Sequence, residues 1–285
     1  MAPTSHSFGT PSGLRLAVHD WGGAGDPVLL THPTGFHGHV WAPVAERLVV
    51  KGRHVWSFDF RGHGDSDQSP DGTYSWAEFA SDALAVMTHL ELAGDPRLLA
   101  AGHSKGAAAL LLGEADAPGS YARIWAYEPI VFPSDEPLPP HHDNPLSTGA
   151  RKRRAVWQSR EEAIASYASR PPLDVFTEAS LHAYVEHGFR ELPDGTVALK
   201  CEPEHEATVY AMGAANGVYP RLAEVGCPVL VACGEQTDAI VPKLAGMIAE
   251  RLPRSRLEIW DRCGHFGPQQ DPDRAAASIL AFAAH

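Results

Sequence analysis

The chain has 285 residues, enough for one large or two small domains with an ample core, and its 44% apolar and 20% charged content is ordinary for a water-soluble globular protein. A formal net charge of −12 argues against nucleic acid and anionic membrane as partners, and the 16 histidines are a reserve of positive charge only at lower pH. The N-terminus MAPTSHSFGT lacks a basic start followed by an apolar run, and no stretch approaches the roughly 20 apolar residues of a membrane span, so a cytoplasmic location is expected.

In chain order, residues 14–21 alternate as a strand does and face 5–8 across a turn at 10–13. A short apolar strand at 27–31 ends in His32, Pro33, Thr34 and Gly35. Apolar residues at helical spacing over 40–50 predict a helix closed by Lys51 and Gly52, with a strand at 54–60, a polar turn at 61–67 and an amphipathic helix at 76–92 after it. The stretch 98–112 reads LLAAGHSKGAAALLL, a strand that turns at once into a helix, and 122–130 is the next strand. From 132 to 222 the rhythm breaks: a Pro-rich segment, VFPSDEPLPP, precedes helix-like pieces at 148–169, 175–187 and 203–214 with a turn at 192–197. That length is too great for a structureless loop and predicts an inserted helical subdomain. Alternation resumes with a strand at 228–233, a helix at 243–252, a strand at 257–260 and a helix at 273–284. Strand followed by helix, repeated, predicts an α/β protein with a mostly parallel sheet covered on both faces. Cys201, Cys227, Cys233 and Cys263 have no paired metal-type spacing and read as small buried hydrophobes.

The chemistry centres on Gly102, His103, Ser104, Lys105, Gly106, the G-x-S-x-G pattern between a strand and a helix. The glycines have a steric reason, since a turn this sharp brings positions two before and two after the serine against neighbouring backbone. A serine hydroxyl needs a base to take its proton and a third group to hold that base. Functional groups in open parallel sheets gather beyond the C-terminal strand ends. His265, in the Gly-flanked loop after the last strand, is the expected base, with His32, His37, His39, His63 and His103 competing at the same rim. Asp238, past the preceding strand in GEQTDAIVP, is the expected orienting acid. Glu235 is an outside alternative, and Glu128, at another strand end, is the rival acid, preferred here as an ion-pair partner of Lys105. The oxyanion of an attacked carbonyl needs two donors, for which the backbone N–H groups of Lys105 and Thr34 are the candidates.

The order Ser104, Asp238, His265, the loop HPTGFHG, the turn DFRGHGDS and the helical insertion together resemble the α/β-hydrolase superfamily across essentially the whole chain. The resemblance implies a core in two parts, 1–131 and 223–285, with a lid at 132–222. It implies Ser104 as nucleophile, His265 as base, Asp238 as acid and the Thr34 and Lys105 amides as oxyanion hole, with no cofactor. Two positions depart from the pattern. Pro33 stands where a glycine commonly follows the loop histidine, and Lys105 where a small or apolar residue follows the serine; an unpaired ammonium there would favour anionic substrates. A serine at the elbow separates the chain from relatives that open epoxides or carbon–halogen bonds with an aspartate. Cleavage of a small-molecule ester or lactone is the simplest expectation. C–C bond hydrolysis beside a ketone, cofactor-free haloperoxidase activity, and a slowly turning hydrolase-shaped receptor stay open to the same residues, as do monomer and dimer. His141, His142 and Asp143 lie in a Pro-rich loop with no second cluster at ligand spacing, so no metal site is expected. RGHGDS lacks the lysine and hydroxyl residue of a phosphate loop and reads as a tight turn. The basic block at 151–154 reads as a solvated helix face, and Trp157, Tyr167, Phe176, Tyr184 and Tyr210 as lid packing or pocket lining.

Overall fold

A computed structural model describes residues 2–136 and 138–284. Strands β1 (Thr4–Gly9), β2 (Arg15–Gly22), β3 (Pro27–Thr31), β4 (His54–Phe58), β5 (Leu99–His103) and β6 (Arg123–Tyr127) precede an insertion, and β10 (Val229–Gly234) and β11 (Ser255–Trp260) follow it. Together they make one eight-stranded sheet in the order β1-β2-β4-β3-β5-β6-β10-β11, antiparallel at β1-β2-β4 and parallel beyond. The inner strands β3 and β10 are buried throughout, as continuous apolar runs covered on both faces must be.

Helices α1 (Ala42–Val50), α2 (Trp76–His89), α3 (Lys105–Asp116), α9 (Pro242–Arg251) and α11 (Pro272–Ala283) cover the two faces. On one face Phe58, Phe79, Leu110 and Ile248 belong to a single core; on the other Val44, Trp125, Trp260 and Phe282 belong to a second. Helix α2 starts where Ser75 and Glu78 form a reciprocal capping box. Between β11 and α11 a short helix, α10 (Gly267–Gln270), leads out of the loop that carries His265.

The chain between β6 and β10 holds α4 (Pro145–Arg151), β7 (Val156–Trp157), α5 (Arg160–Ala168), α6 (Glu178–Gly188), β8 (Phe189–Glu191), β9 (Val197–Leu199), α7 (Pro203–Ala211) and α8 (Val218–Arg221). The expectation of a purely helical segment is corrected here: β7, β9 and β8 form a small antiparallel sheet, and the predicted turn near 192–197 is its hairpin. The expected helix at 148–169 is two helices because Lys152 closes α4 and the Ser159 hydroxyl, accepting from the Glu162 N–H, starts α5. The basic block is largely solvated, as expected, but it continues past the helix and its arginines are paired. Arg151, the last residue of α4, pairs with Glu204, and in the turn from α4 to β7 Arg153 pairs with Glu206 and Arg154 with Glu162. Pro137, inside the Pro-rich stretch, lies outside the described residues. The four cysteines are free and buried. Among the described residues no helix is long and apolar enough to cross a membrane.

The two elbow glycines behave as their spacing requires. A Cβ on Gly102 would stand 2.6 Å from the Ala107 backbone, and one on Gly106 would stand 2.6 Å from the Thr31 carbonyl oxygen. Neither obstacle is a flexible side chain, so β3 and α3 would have to separate. Gly106→Ala is expected to cost about 2–3 kcal/mol through overpacking, measured as a lower urea midpoint with an unchanged slope.

Candidate active site

Strand β5 ends at His103 and α3 begins at Lys105, leaving one residue to reverse the chain. Ser104 does so at φ 57° and ψ −116°, a strained backbone for a residue with a Cβ. Hydrogen bonds hold it there: the Ser104 N–H donates to the Tyr127 carbonyl at 2.9 Å, and its own carbonyl accepts from Ala108 N–H at 3.1 Å and Ile130 N–H at 3.3 Å. The strain is therefore set by β6 on one side and the first turn of α3 on the other.

His265 comes to the same rim. Its loop is tied down by the Tyr127 hydroxyl, which donates to the Gly264 carbonyl at 2.8 Å, and by the Gln236 N–H, which donates to the Cys263 carbonyl at 2.9 Å. The His265 ring centroid lies 4.9 Å from that of His103, the residue before the serine, and 5.2 Å from that of Phe266. Its Nδ1 donates to Glu128 Oε2 at 2.7 Å, which fixes the tautomer and leaves Nε2 as the basic nitrogen.

The carboxylate that meets His265 is thus Glu128, and not Asp238 as expected. Glu128 directly follows β6, takes a positive φ of 44°, and is completely buried. Besides the imidazole its carboxylate accepts from Gly234 N–H at 3.0 Å, the Thr237 hydroxyl at 2.8 Å and Ile240 N–H at 3.4 Å. Four donors converging on one buried carboxylate replace the hydrogen bonds to water that it has lost. Asp238 is exposed, because the loop after β10 points its neighbour Thr237 inward at Glu128 and turns Asp238 out. Glu235 is likewise exposed. Thr237 was not among the sequence candidates, and only its place in the loop beyond β10 could have drawn notice to it.

The expected ion pair between Glu128 and Lys105 does not form. Lys105 is fully buried, its Nζ 3.4 Å from His63 Nε2 and 4.3 and 4.5 Å from the ring centres of Phe60 and Phe79. Burial pushes this ammonium down to about 7, with Cys201, Asp82 and Asp59 pulling weakly the other way.

Thr31 and Gly102 are paired in the sheet, so the loop after β3 and the elbow after β5 rise side by side. The loop is shaped by His32, whose Nδ1 donates to the Pro33 carbonyl at 2.8 Å while Nε2 accepts from Phe60 N–H at 3.0 Å. That pattern needs a neutral ring, and burial, aided by Lys105 and His63, holds His32 well below the usual imidazole range. Within the loop the Phe36 N–H donates to the Pro33 carbonyl, and the Thr34 N–H is not used in these turns. The DFRGHGDS turn is structural: Asp59 accepts from Gly38 N–H and Asp65 N–H, and the buried Arg61 pairs with Asp82.

The inserted segment contributes a polar group over this loop. Arg153 pairs with Glu206 and donates to the Tyr184 hydroxyl at 2.7 Å and the Tyr167 hydroxyl at 3.3 Å. A Cβ on Gly35 would collide with the Glu206 carboxylate, and the Tyr184 ring lies 4.7 Å from that of Phe36. Phe36, Phe176 and Phe266 close the other side, with ring centroids 5.3–6.1 Å apart. Among the described residues no group of three His, Cys, Asp or Glu side chains is arranged to hold a metal ion.

A serine at a strained strand-to-helix turn, an imidazole packed against the ring of the residue before it and a buried carboxylate behind that imidazole place the chain in a class defined by comparison as well. It belongs to the alpha/beta hydrolase family, whose pattern it matches over residues 28–278. It is 27% identical to a non-heme chloroperoxidase of Streptomyces lividans, covering 96% of this chain and 97% of that one. Its fold is similar to that of an E-2-(acetamidomethylene)succinate hydrolase, with a TM-score of 0.83 at 19% identity and 99% and 100% of the two chains covered. It is also similar in fold to a thermophilic esterase from Thermogutta terrifontis, with a TM-score of 0.73 at 22% identity and 98% and 97% covered.

Proposed function

We propose that the protein is a serine hydrolase that cleaves a carboxylic ester or lactone through an acyl-enzyme on Ser104. In this reading His265 Nε2 takes the serine proton and returns it to the leaving alkoxide, Glu128 holds the ring and offsets the charge it gains, and the Thr34 and Lys105 amides receive the oxyanion. Water, activated by the same imidazole, then releases the acid. The segment 132–222 acts as the lid over the serine. The observation that carries the reading is the hydrogen bond between His265 Nδ1 and the buried Glu128, at the rim where the backbone of Ser104 is strained.

A fluorophosphonate is expected to add once, at Ser104, and to fail with Ser104→Ala and His265→Ala. Purified protein is expected to turn over members of a panel of p-nitrophenyl esters and lactones. Absence of both labelling and turnover overturns the proposal. The chloroperoxidase relative favours a second reading, in which hydrogen peroxide replaces water as the attacking nucleophile and the acyl group leaves as a peracid. Halogenation of a β-diketone that requires both peroxide and a carboxylic acid, and is lost in Ser104→Ala, would support it; a β-diketone cleaved without peroxide would point to C–C hydrolysis.

A further inference from the structure

Away from Ser104, the inserted segment carries an open pocket of about 530 Å³ lined by Lys152, Arg153, Arg154 and Arg170 against one carboxylate, Glu162. Such a concentration of positive charge stands out in a chain of net charge −12. The cations are not equivalent. Arg154 is matched by Glu162 at 2.7 Å and lies 4.3 Å over the Trp157 ring, and Arg153 is matched by Glu206. Lys152 and Arg170 are exposed and have no ion-pair partner among the described residues. The volume falls within the range of small-molecule sites, and Trp157 and Tyr167, ring centroids 5.3 Å apart, supply an apolar wall.

We propose that this cavity is a binding site for a small molecule bearing a carboxylate or phosphate group, separate from the site at Ser104. Lys152 and Arg170 supply the uncompensated charge and the N–H donors, Arg153 and Arg154 add to the field while held by Glu206 and Glu162, and Tyr167, backed by the buried Trp157, lies against the rest of the ligand. Arg153 also reaches Glu206 and Tyr184, which touch the loop that holds Thr34, so occupancy is felt one side chain from the oxyanion loop. The inference does not depend on the hydrolytic reading, because binding is measured directly and can be repeated on Ser104→Ala.

The test is calorimetric titration with inorganic phosphate, citrate and benzoate, with tryptophan fluorescence in parallel. Saturable binding is expected for at least one probe, and which of the three binds tightest separates phosphate from carboxylate ligands. The double variant Lys152→Ala/Arg170→Ala should weaken that binding about tenfold or more, since it removes both uncompensated cations. Trp157→Phe should lose the fluorescence change and keep calorimetric binding. No saturable binding of any probe at millimolar concentration, or equal binding by the double variant, overturns the proposal.

Discussion

Glu128→Gln is expected to lower kcat by about 10³ to 10⁴, while Asp238→Asn leaves it essentially unchanged. The first effect follows from what the carboxylate does for the imidazole. It accepts the Nδ1 proton at 2.7 Å and so presents Nε2 to the serine, and it supplies the negative charge that balances the imidazolium formed during attack. A glutamine can do only half of this. If its amide oxygen faces His265, the charge is gone; if its NH₂ faces His265, the ring is driven to the other tautomer and Nε2 carries the proton that it should be taking. The amide would also meet donors from Gly234, Thr237 and Ile240 with only one acceptor oxygen, which adds a stability cost of about 1–3 kcal/mol. The two costs are separable, because the rate of fluorophosphonate labelling per folded molecule reports the first and urea unfolding the second. Asp238 is exposed and distant in role from the imidazole, so its amide is silent in both. A larger loss of labelling rate from Asp238→Asn than from Glu128→Gln would reverse the assignment.

The elbow was legible in the sequence because its steric requirement leaves a short motif: the Ala107 backbone and Thr31 on β3 crowd Gly102 and Gly106, so both positions are glycine at fixed spacing around the serine. The doubly wound sheet and the place of His265 were legible for a similar reason, since strand and helix periods and a glycine-flanked loop are short-range signals. The choice of acid was not. Glu128 and Asp238 both lie just past the ends of strands, β6 and β10, that are neighbours in the sheet, so position at a strand end does not separate them, and chain order favoured Asp238. What separates them is a positive φ at Glu128 and the inward aim of Thr237, both products of the tertiary fold. The short strands β7, β8 and β9 escaped because two or three residues carry no period. The ion pairs of the basic block were not legible because its acidic partners stand 8 to 53 residues further along the chain.

Stability is expected to fall as the pH drops from roughly 7.5 to roughly 5.5, through histidines that the fold keeps neutral. His32, His37, His39, His63 and His103 are all buried. Burial is the largest cause in each case and holds every one below its ordinary value of 6.5, His37 at about 4 and His39 at about 2. Neighbouring imidazoles deepen the effect for His39, whose ring stacks 3.7 Å from that of His187 and lies 4.0 Å from that of His19; Asp59 opposes it weakly. Because the folded values lie below the unfolded one, the unfolded chain takes up protons first as the pH drops. Stability is therefore complete above the unfolded value of 6.5 and is lost as the pH falls through it toward the folded values. Every such ring adds to the loss, which is set against a typical folding free energy of only about 5–15 kcal/mol. Lys105 works in the same sense at higher pH, since its folded value near 7 is far below the ordinary 10.5. Lys105→Met should flatten the alkaline part of the profile and leave the acid part in place. Urea unfolding across this range measures the slope directly, and equal unfolding free energies at both ends would show that these histidines are solvated or charged in the folded state.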